Sequence, residues 1–182
     1  MIDCDVLSHR VATDPSVIAT IGRTFGREVI TEEGNVNREA LGRIIFADSR
    51  KRNQLNGIMN RRIFWEIVKE FCYLRFKRKE PLIVLDAPLL FETKMFEYVC
   101  FPIMVVHVDD HELLLRRLMN RDKIDREEAE RKVRAQMPIA EKKRRGDLLI
   151  NNGGSFEDLK ERMKTEVFPE LLNVMNFHDK KE

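Results

Sequence analysis

Little in this chain points to an extracellular or membrane protein. Its three cysteines, Cys4, Cys72 and Cys100, are odd in number, far apart and without C-x-x-C spacing. That removes the case for a disulfide framework or a cysteine-rich metal site and points to a reducing compartment. The expected location is the cytoplasm, or the mitochondrion if a targeting segment precedes these residues. No apolar run approaches the roughly 20 residues that span a bilayer, and Asp3 and Asp5 do not fit a signal or transit peptide. Net charge is only +2 although 35% of residues are charged. There is thus no global case for nucleic acid or a membrane surface, and the basic helices lack the aromatic interleaving of a base-stacking platform.

What is present reads as one α/β domain over residues 1–182. With 182 residues, 43% of them hydrophobic, the chain is long enough for one sizeable core and short for two. Short apolar strand candidates alternate with helical segments, the pattern of a mostly parallel sheet. Leu82–Leu85 is one strand, Ile103–Val108 a second and Leu148–Ile150 a third, with Ile2 the stub of a fourth. Their residues are apolar on both faces, as when helices cover a sheet on each side. Asp14-Pro15 starts a helix that Gly26 ends, and Asn37 caps the next. Ser49 to about Arg78 is helical in composition, with a stripe from Leu55 to Phe71. Asp125-x-x-Glu128 and Ser155-x-x-Asp158 read as capping boxes. Pro169 is expected to kink or end the last helix, leaving a polar tail from about His178.

Open α/β sheets place ligands at the carboxyl ends of their strands. Asp3, Asp5, Asp86 and Asp109 fall at such ends, and several carboxylates there could serve one crevice. The plain alternative for each is a helix cap, Asp5 for the helix through Val6 and Leu7, Asp109 or Asp110 for the helix after the second strand. A second feature is the basic stretch from Arg116 to Arg145. Its plain reading is a solvated face with pairs such as Glu128 with Lys132. Its functional reading is a phosphate clamp, two helices hinged at Asp122-Lys123-Ile124-Asp125.

In this order the residues resemble the dephospho-coenzyme A kinase family. The resemblance rests on Ile2-Asp3-Cys4-Asp5, Phe25-Gly26, Leu41-Gly42-x-x-Ile45-Phe46, Leu85-Asp86-x-Pro88-Leu89-Leu90-Phe91-Glu92, Arg117-Leu118-Met119-x-Arg121-Asp122, Ala135-Gln136-Met137 and Ile150-Asn151-Asn152-x-Gly154. It implies a P-loop NTPase-like three-layer α/β fold with a parallel sheet, a helical substrate region and a lid. The implied reaction moves the γ-phosphate of ATP, with Mg2+, onto the ribose 3′-hydroxyl of dephospho-CoA, the last step of coenzyme A synthesis. Asp5 matches the proposed base, with Asp3 beside it, and Asp86 would act through water on the metal. Arg117 and Arg121 match lid arginines, Lys142 and Asn152 lie near the expected nucleotide, and Leu89, Leu90 and Phe91 would wall the acceptor site. Neither nucleic acid nor a membrane is an implied partner, and the sequence sets no oligomeric state.

The chain departs from the family pattern in places. His9 stands where an arginine usually follows D-x-D, Asn60-Arg61 replaces a His-Pro pair, and Asn151 replaces an aspartate. No G-x-x-x-x-G-K-[ST] occurs, although such a loop supplies the backbone cradle, lysine and metal-binding hydroxyl for phosphates. The expectation is a chain that begins after that loop and lacks the central strand preceding it, between Leu82–Leu85 and Ile103–Val108. Impaired activity follows, and the alternative is a catalytically inactive paralogue acting as a binding module.

Overall fold

The computed structural model describes residues 1–93 and 96–179, with side chains through 173. These residues gather into two compact units, 1–88 and 89–182. In the first, β1 (Ile2–Asp3) leads into α1 (Cys4–Ala12), α2 (Pro15–Phe25), α3 (Arg38–Ala47), α4 (Ser49–Cys72) and β2 (Leu85–Asp86). The second holds α5 (Leu90–Thr93), β3 (Met104–His107), α6 (His111–Asp122), α7 (Arg126–Arg134) and α8 (Ile139–Arg145). It continues with β4 (Leu148–Asn151), α9 (Phe156–Arg162) and α10 (Phe168–Asp179).

Local chemistry sets most helix starts in the first unit. The Asp14 carboxylate accepts from Ser16 N–H at 2.8 Å and Pro15 supplies a fixed φ, so α2 begins there. It stops at Gly26, whose φ of 102° would strain any side chain. Asn37 accepts from Ala40 N–H and starts α3. Asp3, rather than Asp5, caps α1: its Oδ1 accepts from the N–H groups of Asp5 and Val6, both at 2.9 Å. Cβ geometry explains the choice, because the residue in extended conformation just before the first turn aims its carboxylate back at those donors. Val11, Val17, Ile21, Phe25, Val29 and Leu41 form the core of this unit, with Leu55, Ile58, Met59 and Ile63 of α4 packed against it. The far end of the expected α4 stripe is different, for Phe71 is 45% exposed. Arg62 ties α4 to the start of α2 through Asp14 at 3.0 Å.

The strand expected at Leu82–Leu85 is shorter and later in the structure. Only Leu85 and Asp86 form a ladder, pairing in parallel register with Ile2 and Asp3. A strand exists by virtue of its partner, and β1 supplies two residues, with Ile2 N–H reaching back to the Val84 carbonyl at 2.7 Å.

In the second unit β3 and β4 pair in parallel from Met104↔Leu148 to His107↔Asn151. These strands are not buried on both faces as expected. Val105 and His107 are buried while Val106 is 56% exposed, and Leu148 and Ile150 are buried while Leu149 is 49% exposed. The covering elements explain this, since α8 lies against β3 and the wide turn at Met163–Val167 against β4. Asp110 caps α6 by accepting from Glu112 and Leu113 N–H. Asp125 caps α7 through Glu128 N–H, and Ser155 with Asp158 forms a full reciprocal box at α9. α6 ends at Lys123, φ 55°, which breaks it from α7 where the sequence placed a hinge.

Pro169 neither ends nor visibly breaks the last helix. It is the second residue of α10, which continues directly from the helical turn before it. Residues Met163–Val167 just before it form a π-turn, the wider i→i+5 pattern that gives a proline ring room. α10 runs on to Asp179, so the polar tail expected from about 178 begins inside a helix, and residues 180–182 lie outside the described ones. Among the described residues no helix is long and apolar enough to cross a membrane.

Candidate active site

Two groups of polar side chains sit at strand ends, one in each unit. In the first unit, Asp3 and Asp86 are register partners on adjacent parallel strands, which places their backbones about 4.8 Å apart. Asp5 lies in the first turn of α1, exposed, and its carboxylate has no partner among the described residues. The local reason is the cap. With Asp3 holding two of the free N–H groups, those of Asp5 and Val6, the helix starts at Cys4 and its first turn leaves Asp5 exposed. The helix N-terminus places partial positive charge beside it. The structure thus brings together three of the four carboxylates that the sequence singled out. The fourth, Asp109, belongs to the second unit.

There, Asp109 follows β3 and joins three elements. Its Oδ1 accepts from Lys143 Nζ of α8 at 2.5 Å, and its Oδ2 from Asn151 Nδ2 of β4 at 3.0 Å. The Lys143 hydrogen bond first, with the electrostatic influence of Lys143 and His107, holds its carboxyl below the ordinary value against desolvation that raises it. His107 is buried, and its Nδ1 lies 3.2 Å from Asp109 Oδ1 without the alignment of a hydrogen bond.

The cationic residues expected at the nucleotide all have protein partners. Arg117 grips the turn after β4, donating to the carbonyls of Asn152 at 2.5 Å and Gly154 at 3.0 Å. Arg121 pairs with Asp122 at 2.7 Å while its side chain stays 75% exposed, and Lys132 reaches the same carboxylate. Lys142 is the most buried of the set, with its side chain 12% exposed and its Nζ 2.8 Å from Glu92 Oε1. Burial pushes the Glu92 carboxyl up, but the bonds from Lys142 and from Met137 N–H outweigh it and hold it below the ordinary value. Of the expected apolar wall, Leu90 and Phe91 are buried in the fold, Phe91 beneath the Arg145 guanidinium, and Leu89 is 48% exposed.

Sequence reasoning assigned no role to Glu92, Lys143 or His107. Glu92 was within reach, because it closes the same segment as Leu89 to Phe91. Lys143 was one of twelve basic residues in a run and carried no signal of its own.

No group of three or more His, Cys, Asp or Glu side chains among the described residues could hold a metal ion alone. Asp86, exposed at the end of β2, offers one oxygen-donor carboxylate, the ligand type that Mg2+ takes together with water and substrate phosphates.

Comparison with known proteins shows the family. The family model described as dephospho-CoA kinase (CoaE) matches residues 1–158. The dephospho-CoA kinase of Latilactobacillus sakei is 39% identical over 91% of this chain and 80% of its own length. That of Arabidopsis thaliana is 38% identical, covering 90% of this chain and 70% of the relative. A solved dephospho-CoA kinase from Campylobacter jejuni matches in fold, with TM-score 0.64 at 24% identity over 93% of this chain and 83% of that one. The present chain shares its fold. The chain belongs to the dephospho-CoA kinase family.

Proposed function

We propose that this protein transfers the γ-phosphate of ATP to the 3′-hydroxyl of dephospho-CoA, with Asp5 as the group that accepts the hydroxyl proton. The observation that carries the reading is the carboxylate arrangement at the ends of β1 and β2. Asp3 is engaged as a cap and Asp86 is its register partner, while Asp5 is ionisable, exposed and unpaired. Phosphoryl transfer asks little covalent chemistry of a protein. It needs an oriented hydroxyl and stabilised charge on the moving phosphoryl oxygens.

Asp5 supplies the first, by hydrogen bonding to the hydroxyl and drawing its proton as the bond to phosphorus forms. Asp3 acts through Asp5, fixing the helix turn that carries it. Asp86 would hold a magnesium ion through water. When bound, such an ion neutralises charge on the phosphate oxygens. Arg121 serves the phosphates, and its exposure leaves the guanidinium able to exchange Asp122 for a stronger anion. Arg117 and Lys142 serve the nucleotide by holding their own surroundings, the Asn152 to Gly154 turn and Glu92. Leu89 offers exposed apolar surface to the acceptor, and Leu90 and Phe91 support it from the core.

The test is formation of coenzyme A from dephospho-CoA and Mg-ATP, followed by chromatography of the product. It is run on this chain and on the protein with whatever segment its transcript encodes upstream. Product formation is the expected result. Saturable binding of dephospho-CoA with no product in either form would leave a binding module in place of a kinase.

A further inference from the structure

Resting on the kinase reading, we propose that Asn151 is a positioning residue for the nucleotide. Its side-chain amide, wired to Lys143 through Asp109, sets the shape of the turn that presents Asn152. The bonds around that turn form a closed account. Asn151 Oδ1 accepts from Gly153 N–H at 2.8 Å, and its Nδ2 donates to Asp109 Oδ2 at 3.0 Å. Asp109 Oδ1 is held by Lys143 at 2.5 Å. The backbone is fixed as well, with Asn152 N–H donating to the His107 carbonyl at 2.7 Å. On the other side Arg117 holds the carbonyls of Asn152 and Gly154, and Arg162 lies 3.5 Å from that of Asn151.

Position 151 must therefore accept on one side and donate on the other. A neutral amide does both at once, and two partners of opposite kind leave it one orientation. A carboxylate there would still accept from Gly153 but would set an anion against Asp109. The pair has no second way to be satisfied, because Lys143 is already bonded to the opposite oxygen of Asp109. The charged and titratable groups facing this point are Asp109 and His107 at the end of β3, Lys143 on α8, Arg117 on α6 and Arg162 on α9. The arrangement links α8, the helix that also carries Lys142, to the turn after β4 through three side chains.

The test uses the full chain and three variants: Asn151→Asp, Asp109→Asn, and the two together. Two readouts are followed between pH 5 and 8, the hydrogen-exchange protection of the Gly153 and Asn152 amides and the dissociation constant for ATP. Asn151→Asp is expected to lower Gly153 protection and ATP affinity roughly tenfold at pH 8, from like charges in contact near the surface. Both recover toward pH 5, where the carboxylate pair shares a proton. The double variant restores both at pH 8, since the new amide at 109 donates to the new carboxylate at 151. Wild-type protection in Asn151→Asp, or a double variant as impaired as the single, would overturn the proposal. Failure of ATP to bind the unaltered chain would bear on the kinase reading and not on Asn151. The exchange data alone would then decide whether Asn151 shapes the turn.

Discussion

Gly146 closes α8 and leads directly into β4, and it lies so near β3 that a methyl group has no room. A Cβ built there would sit 2.5 Å from Val105 Cγ2 and 3.3 Å from Val105 Cβ, where carbon atoms normally rest about 3.5–4.0 Å apart. About 1 Å of movement is therefore required. Val105 is poorly able to provide it, being buried and restricted at χ1 by its branched Cβ. The backbone at Gly146 is ordinary extended chain, φ −79° and ψ 146°. Gly146→Ala would thus gain about 0.4–1 kcal/mol by restricting the unfolded chain, against overpacking strain of about 1–3 kcal/mol. A net loss of about 1–2 kcal/mol is expected, read as a lower urea midpoint at unchanged slope. Trimming the obstacle separates clash from other causes. In a Val105→Ala background the same Gly146→Ala change should cost nothing or stabilise, giving a favourable coupling of about 1 kcal/mol or more. A neutral Gly146→Ala, or a cost that is the same in both backgrounds, would refute the packing argument for how α8 and its lysines are held on β3.

Two further outcomes follow. Lys142→Met removes the main donor to Glu92, whose Oε2 already lacks a partner, and should cost about 1–3 kcal/mol. With desolvation then opposed only by the Met137 and local backbone N–H bonds, the folded-state pKa of Glu92 rises from its lowered value. The penalty is therefore absent at low pH and appears as pH rises through the carboxylate range, which denaturation at pH 4 and pH 8 would show. Asp122 behaves oppositely: hydrogen bonds from Arg121, then Lys132, lower its pKa to about 2. Its contribution is present above the ordinary carboxylate pKa and fades as pH falls toward 2. Carboxyl chemical shifts should follow that titration, and Lys132→Met should move it upward.

What could be read in advance was what neighbours in sequence decide. Asp14-Pro15, Asn37, Asp125 and Ser155 start helices because a cap and its N–H partner lie within three residues. Asp3 and Asp86 are neighbours because they close paired strands, and Asp5 lies two residues beyond Asp3 in the first turn of α1. Distant partners were not legible. That Asp110 caps α6 while Asp109 turns to Lys143 depends on a lysine 34 residues away. The departure at Asn151 was visible, but its partner Asp109 is 42 positions distant. Arg117 reads as a free cation in sequence and is a brace for a turn 35 residues on. Burial was misjudged at Val106 and Leu149, because apolar residues on both sides of a strand do not say whether a helix covers each side.

The central claim is that Asp5 activates the acceptor hydroxyl. It is tested most directly by comparing the rates of coenzyme A formation by Asp5→Asn and by the unaltered protein, with ATP affinity measured beside them. Asparagine keeps the shape of the first turn of α1, where Asp5 makes no side-chain bond, and removes only the charge. The account predicts a fall in kcat of about 10²–10⁴-fold with ATP affinity unchanged within about twofold. Near-normal turnover in Asp5→Asn would contradict it.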